Sequence, residues 1–185
     1  MVVFYSDVVR VVFHPKSRIM GDVAEALFYQ ENGNGLFVRA TGHITAAVST
    51  DLRELVIERL SRDPAPPVLA VDLSACDYMD STFMGLLVGF HKRYKQLTGR
   101  ALTVQSPTPE CLKLLTGLGI LSLMSVVTEP SSASPEQWKT IFPRKSPAAE
   151  ILLNAHKDLS DLSPENEKKF SSLRSVLEQQ VKNKE

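Results

Sequence analysis

In the stretch VDLSACDYMDSTFMGLLVGFHKRYKQL, residues 71–97, a carboxylate and two hydroxyls stand in a row at Asp80, Ser81 and Thr82. They fall where a strand-like run gives way to a helical repeat. Two kinds of chemistry suit such a trio. One is helix capping, in which a side-chain oxygen accepts from a free amide of the first turn and contributes about 1 kcal/mol. Capping needs one such residue, and three are present. The other is modification. A hydroxyl in the first turn lies at the positive end of the helix dipole, where a phosphate is tolerated or stabilised. A third chemistry, nucleophilic attack by Ser81, needs a base. His91 could approach in space, but it sits at the edge of the helix's apolar arc, and no other histidine is close in sequence.

The elements that must position the trio follow from periodicity. VLAVDL is a continuous apolar run of strand length, as expected for a strand covered on both faces. A helix over about 81–98 follows and stops at Gly99. Along it Phe83, Leu87, Phe90, Tyr94 and Leu97 share one arc, flanked by Met84, Leu86 and Val88. Gly85 and Gly89 lie opposite, beside Lys92 and Gln96. Each glycine costs a helix about 1 kcal/mol relative to alanine. Two explanations fit: close packing against a neighbouring helix, or a flat surface left open to a partner protein.

Upstream, short β-like runs at 27–30 and 36–40 flank ENGNG, a hairpin signal. A helix follows, capped by Thr45 or Ser49 and ended by DPAPP. Downstream come the strand ALTVQS, the short helix PTPECLKLLTGLG and the strand LSLMSVV. The order ββαβαβαβ predicts an α/β fold, a mixed β-sheet packed with helices. Residues 27–128 form that domain. Residues 1–26 are an extra strand or an overlong start, with no signal-peptide cleavage pattern. The Ser/Pro-rich stretch 129–146 is expected to be a linker, and 147–185 a C-terminal helical hairpin. In its second helix Phe170, Leu173, Val176, Leu177 and Val181 make an apolar stripe that must dock on the domain, on a twin chain or on a partner. A chain ending near Glu129 is expected to stay folded, because the sheet by then has all the strands the pattern predicts.

Composition excludes several classes. The 185 residues are 43% hydrophobic and 23% charged, enough to bury a core. With 21 basic and 21 acidic residues there is no stripe to neutralise nucleic-acid phosphates. No apolar run approaches the roughly 20 residues that cross a bilayer, so no membrane partner is expected. Cys76 and Cys111 lack C-x-x-C spacing, and the four histidines lack ligand spacing. No disulfide framework, metal or cofactor is expected, and a reducing cytoplasm is the simplest location. No Gly-rich phosphate loop is present.

YMDSTFMGLLVGFHKRYKQLTG resembles the signature of the STAS domain, and specifically of its anti-sigma factor antagonists. Those proteins carry aspartate, serine, serine or threonine, glycine, an apolar residue and glycine, with a second glycine four residues on. Asp80, Ser81, Thr82, Met84, Gly85 and Gly89 match in register. VLAVDLSACDYM, the TGHIT turn and ECLKLLTGLGI match in order. The resemblance implies a non-enzymatic bacterial regulator of transcription with Ser81 as phosphorylation site and Thr82 as second choice. Unphosphorylated, it would bind an anti-sigma factor serine kinase, to which nucleotide and magnesium would belong. Phosphorylated, it would let go until a PP2C-type serine phosphatase reset it.

Its implied contact face comprises Asp80, Ser81, Thr82, Phe83, Gly85, Gly89, His43 and Thr45. Two departures fall on that face. Phe83 replaces the family glycine, either extending the core arc or adding an outward apolar anchor, and His43-Ile44-Thr45 replaces an acidic turn. The resemblance also allows a STAS subunit of a larger assembly, such as a lipid-transport ATPase or a stress-sensing complex, without reversible phosphorylation. A dimer through the C-terminal helices is a further expectation.

Overall fold

The structure is a computed structural model describing residues 25–128, 137–143 and 145–183. Residues 1–24 of the expected extra strand or overlong start, and half of the Ser/Pro-rich stretch 129–146, lie outside the described residues. A hairpin opens the fold, β1 (Ala26–Asn32) and β2 (Gly35–Ile44). Its turn closes through Asn32, whose side-chain oxygen accepts from the Asn34 amide at 2.8 Å. Gly35 is required there, because a side chain would come within 2.3 Å of the Val68 carbonyl oxygen. The backbone continues into a single 3-10 turn capped by Thr45, then α1 (Ser49–Leu60).

Next come β3 (Leu69–Met79), α2 (Ser81–Thr98), β4 (Thr103–Gln105), α3 (Pro109–Gly117) and β5 (Ser125–Val127). β3 runs further than VLAVDL predicts and reaches the residue before Asp80. α2 ends where expected: Gly99 has φ 73°, which glycine adopts without steric cost, and its amide bonds the Lys95 carbonyl at 2.8 Å. β6 (Lys139–Ile141), α4 (Ala149–Ser160) and α5 (Pro164–Lys182) complete the described elements.

The sheet order is β5-β4-β3-β2-β1-β6. β2, β3, β4 and β5 are mutually parallel, while β1 pairs antiparallel with both β2 and β6, so the sheet is mixed. β6 lies inside the stretch expected to be linker, and the sheet therefore has a strand beyond Val127. Nearby, Arg39 lies over the Trp138 ring at 4.3 Å while its Nε reaches the buried Asp72 at 2.9 Å. That places the start of β6 against the sheet.

The core brings together Val38 and Ile44 of β2, Val71 and Met79 of β3, Val56 of α1, and Phe83 and Leu87 of α2. α2 is buried on more than the predicted arc: Met84, Leu86 and Val88 are buried along with Phe83, while Leu97 at its end is exposed. The reason is a second neighbour. α4 packs on α2 and α5 packs on α4, so α2 lies between the sheet and the hairpin, whose Ile151, Leu159 and Phe170 join the same buried cluster. Ser163 caps α5 by accepting from the Asn166 amide at 3.1 Å, with Pro164 at its first position, as the sequence indicates. Of the α5 stripe, Phe170 and Leu177 are buried, while Leu173 and Val176 face outward. Among the described residues, no helix is long and apolar enough to cross a membrane.

Candidate functional site

Asp80 leaves β3 in an extended conformation and caps α2, its Oδ1 accepting from the Phe83 amide at 2.9 Å. Its other oxygen accepts from the Ala46 amide at 2.7 Å. One carboxylate thus starts α2 and pins the turn after β2 that carries His43 and Thr45. Thr45 donates its hydroxyl to Glu25 at 3.0 Å and accepts weakly from the Ala47 amide at 3.4 Å. His43 is exposed and packs its ring near Tyr78. Thr82 is buried. Capping is therefore the task of Asp80, and Ser81 is free for another partner.

That partner is His156 of α4. Ser81 Oγ lies 3.0 Å from His156 Nε2, and His156 Nδ1 lies 2.7 Å from the Leu152 carbonyl oxygen. A carbonyl only accepts, so in the neutral ring Nδ1 carries the proton and Nε2 accepts from the Ser81 hydroxyl. The imidazole is 3% exposed and stacks at a tilt against Phe170. A serine hydroxyl on an oriented imidazole is also how nucleophiles are activated. Neither side chain lines either of two clefts beside α2. One, of about 290 Å³, runs between α1, α2 and α4; the other, of about 400 Å³, lies between α2 and α3.

His91 is not the base that sequence proximity offered. It is buried, and its Nδ1 accepts from the Leu102 amide at 3.3 Å. Burial, with the Lys95 charge adding to it, holds the imidazole below the ordinary histidine range and keeps that lone pair available. Cys76 and Cys111, unrelated in sequence, meet in the core, where Cys111 Sγ reaches the Cys76 carbonyl at 3.3 Å. The hydrogen bond with Cys111, and then burial, push the Cys76 thiol up. Among the described residues no group of His, Cys, Asp and Glu could hold a metal ion.

Phe83 is 1% exposed and belongs to the core, so it presents no apolar anchor outward in this conformation. The two glycines face α4. A methyl added at Gly85 would come within 2.3 Å of the Ala155 carbonyl oxygen, whereas one at Gly89 would meet only the Asp158 carboxylate, at 2.7 Å. The first obstacle is backbone; the second is the end of a flexible side chain. Gly85→Ala is therefore expected to destabilise by about 1–2 kcal/mol despite alanine's better helix propensity. Gly89→Ala should be near neutral or stabilising, since what it disturbs is the half-exposed Lys92–Asp158 pair at 2.7 Å. Urea unfolding of both variants checks the pair; equal losses would contradict this packing of α4.

His156 had no signal of its own in the sequence. The glycine pair, one of whose two explanations is a close helical neighbour, is the feature that could have pointed toward α4.

A sequence model described as "Mlab, STAS domain" matches residues 27–125, more than half of the chain. Two solved structures are similar in part. The anti-sigma factor antagonist SpoIIAA in its unphosphorylated form aligns with a TM-score of 0.45, at 20% identity over 55% of this chain and 89% of its own. The Bacillus cell fate determinant SpoIIAA in the phosphorylated form aligns with a TM-score of 0.46, at 20% identity over 55% of this chain and 92% of its own. No curated protein matches the chain. The family match spans the strand–helix junction with Asp80 and Ser81 and stops short of β6, α4 and α5. With the mixed sheet and its order of elements, this places the chain in the STAS domain family.

Proposed function

We propose that the chain is an anti-sigma factor antagonist, a bacterial cytoplasmic interaction module controlled at Ser81. Unphosphorylated, it binds an anti-sigma factor serine kinase; phosphorylated, it releases that kinase until a PP2C-type phosphatase resets it. It acts by binding, without catalysis or cofactor of its own. The observation that carries this reading is the division of labour at the junction. Asp80 does the capping, so the Ser81 hydroxyl has no duty in starting the 18-residue helix, and a group added to it leaves that cap in place.

A phosphate adds about −1.5 to −2 charges and three acceptor oxygens at this point. A partner carboxylate about 6 Å away would be repelled by roughly 3 kcal/mol per unit charge at an effective dielectric near 20. That is about a hundredfold in affinity. Ser81→Asp is accordingly expected to lose at least tenfold in affinity for the kinase, while Ser81→Ala binds it and resists release. Titration of each variant against the candidate kinase, by calorimetry or surface binding, tests this. Equal affinity of wild type and Ser81→Asp would falsify the switch.

A second reading, a STAS subunit of a larger assembly without reversible phosphorylation, is favoured by the hydrogen bond that already engages Ser81 with buried His156. Phosphate found on Ser81 in chain purified from its native cells would exclude it.

A further inference from the structure

The helix face assigned above to a partner is already covered, by this chain's own C-terminal hairpin. The covering is close at three points along α2. At the first, Ser81 bonds His156. At the second, Gly85 admits the Ala155 backbone. At the third, Lys92 reaches Asp158 at 2.7 Å and Asp161 at 3.1 Å. We infer that the α4–α5 hairpin is an autoinhibitory cover whose latch is the Ser81 hydroxyl, and that a phosphate on that hydroxyl lifts it.

The latch follows from the geometry of the bond. At 3.0 Å, Oγ and Nε2 are separated by one hydrogen and nothing more. A phosphoryl group on Oγ replaces that hydrogen with phosphorus and three oxygens, which must stand where the imidazole nitrogen now stands. His156 has little freedom to retreat in place: its Nδ1–H is committed to the Leu152 carbonyl, and Phe170 backs the ring. One residue away, the Ala155 backbone lies against Gly85, so α4 yields at this point only by moving as a helix.

Charge acts in the same direction. The new dianion lies next to Asp80, whose carboxylate is fixed on the Phe83 and Ala46 amides. Against buried His156 it loses part of its water. Coupling of this kind is reciprocal. The modification that disfavours the docked hairpin is itself disfavoured while the hairpin is docked, so the cover shields Ser81 from a kinase. In the unphosphorylated chain a kinase on the same face competes with the hairpin, so its apparent affinity is reduced to the fraction of chains that are open. The phosphate frees the face, and release follows because its own repulsion of the kinase outweighs that gain.

The inference rests on the proposed function only in taking Ser81 as the modified residue. Its test uses the full chain with phosphoserine installed at position 81 during synthesis, so no kinase is needed. Amide hydrogen exchange is compared with the unmodified chain, with β3 as internal reference. Exchange across 149–182 is expected to rise at least tenfold, with β3 unchanged. Ser81→Ala, which loses the hydrogen bond and adds no bulk, should raise it less than threefold. Unchanged protection of α4, with His156 protonated and holding the phosphate, overturns the inference. So does an equal loss in β3, which would make the hairpin part of one cooperative unit, or opening by Ser81→Ala as large as that by phosphate. Hairpin release without any change in kinase affinity would leave the latch standing and remove the partner switch; loss of kinase affinity with the hairpin still protected would do the reverse.

Discussion

Phe83→Ala should lower the stability of the folded chain by about 3–5 kcal/mol, read as a fall in the urea midpoint at unchanged slope. The side chain is among the largest that are fully buried, and it sits in the core cluster with Leu87 and Met79. Its removal takes away apolar burial and leaves a cavity that α2, held between the sheet and α4, cannot collapse to fill. A loss of that size is a large part of the total stability of about 5–15 kcal/mol typical of such domains. Measured per folded molecule, the variant should keep its affinity for a partner on the α2 face. A stability change below about 1 kcal/mol with partner binding lost would instead make Phe83 an interface anchor.

Asp80→Ala is expected to cost about 2–4 kcal/mol, more than an ordinary cap, whose loss costs about 0.5–2 kcal/mol. The excess comes from the second oxygen. When the carboxylate is deleted, the Ala46 amide loses its 2.7 Å acceptor along with the Phe83 amide's 2.9 Å acceptor. Asp80→Asn, which keeps one carbonyl oxygen, should recover about half of the loss. Thermal or urea unfolding of the two variants decides between one bond and two: a cost of about 1 kcal/mol for alanine, with full recovery in asparagine, would leave the link to the β2–α1 turn without energetic weight.

The sequence made legible those parts of the site whose causes are local. A cap within Asp80-Ser81-Thr82, the stop at Gly99, the Ser163–Pro164 start of α5 and the tight ENGNG turn each depend on residues within one turn of one another. The core arc of α2 was visible too, because its period is set by helix geometry. The ligand of Ser81 was hidden for the opposite reason. His156 is 75 positions away, and only the docking of α4 brings it near. Gly85 and Gly89 allowed two explanations, a neighbouring helix or an open surface, and nothing in a helical wheel distinguishes a surface covered by the chain's own hairpin from one left for a partner. β6 escaped notice because three residues at a sheet edge, between Pro-rich stretches, show no alternation of their own. Leu97 was placed on the core arc by its spacing but lies in the last turn of α2, where it is exposed.

The claim that Ser81 is the point of control is tested most directly by incubating the full chain with its candidate serine kinase and ATP and mapping the modified residue by mass spectrometry. A single phosphate is expected, on Ser81, and none on Ser81→Ala. Modification should be faster when the hairpin is loosened by Gly85→Ala, because the hydroxyl is then released from His156. Phosphate on Thr82 or elsewhere with Ser81 untouched, or an unmodified chain under conditions in which the same kinase binds it, would mean that Ser81 is not the point of control.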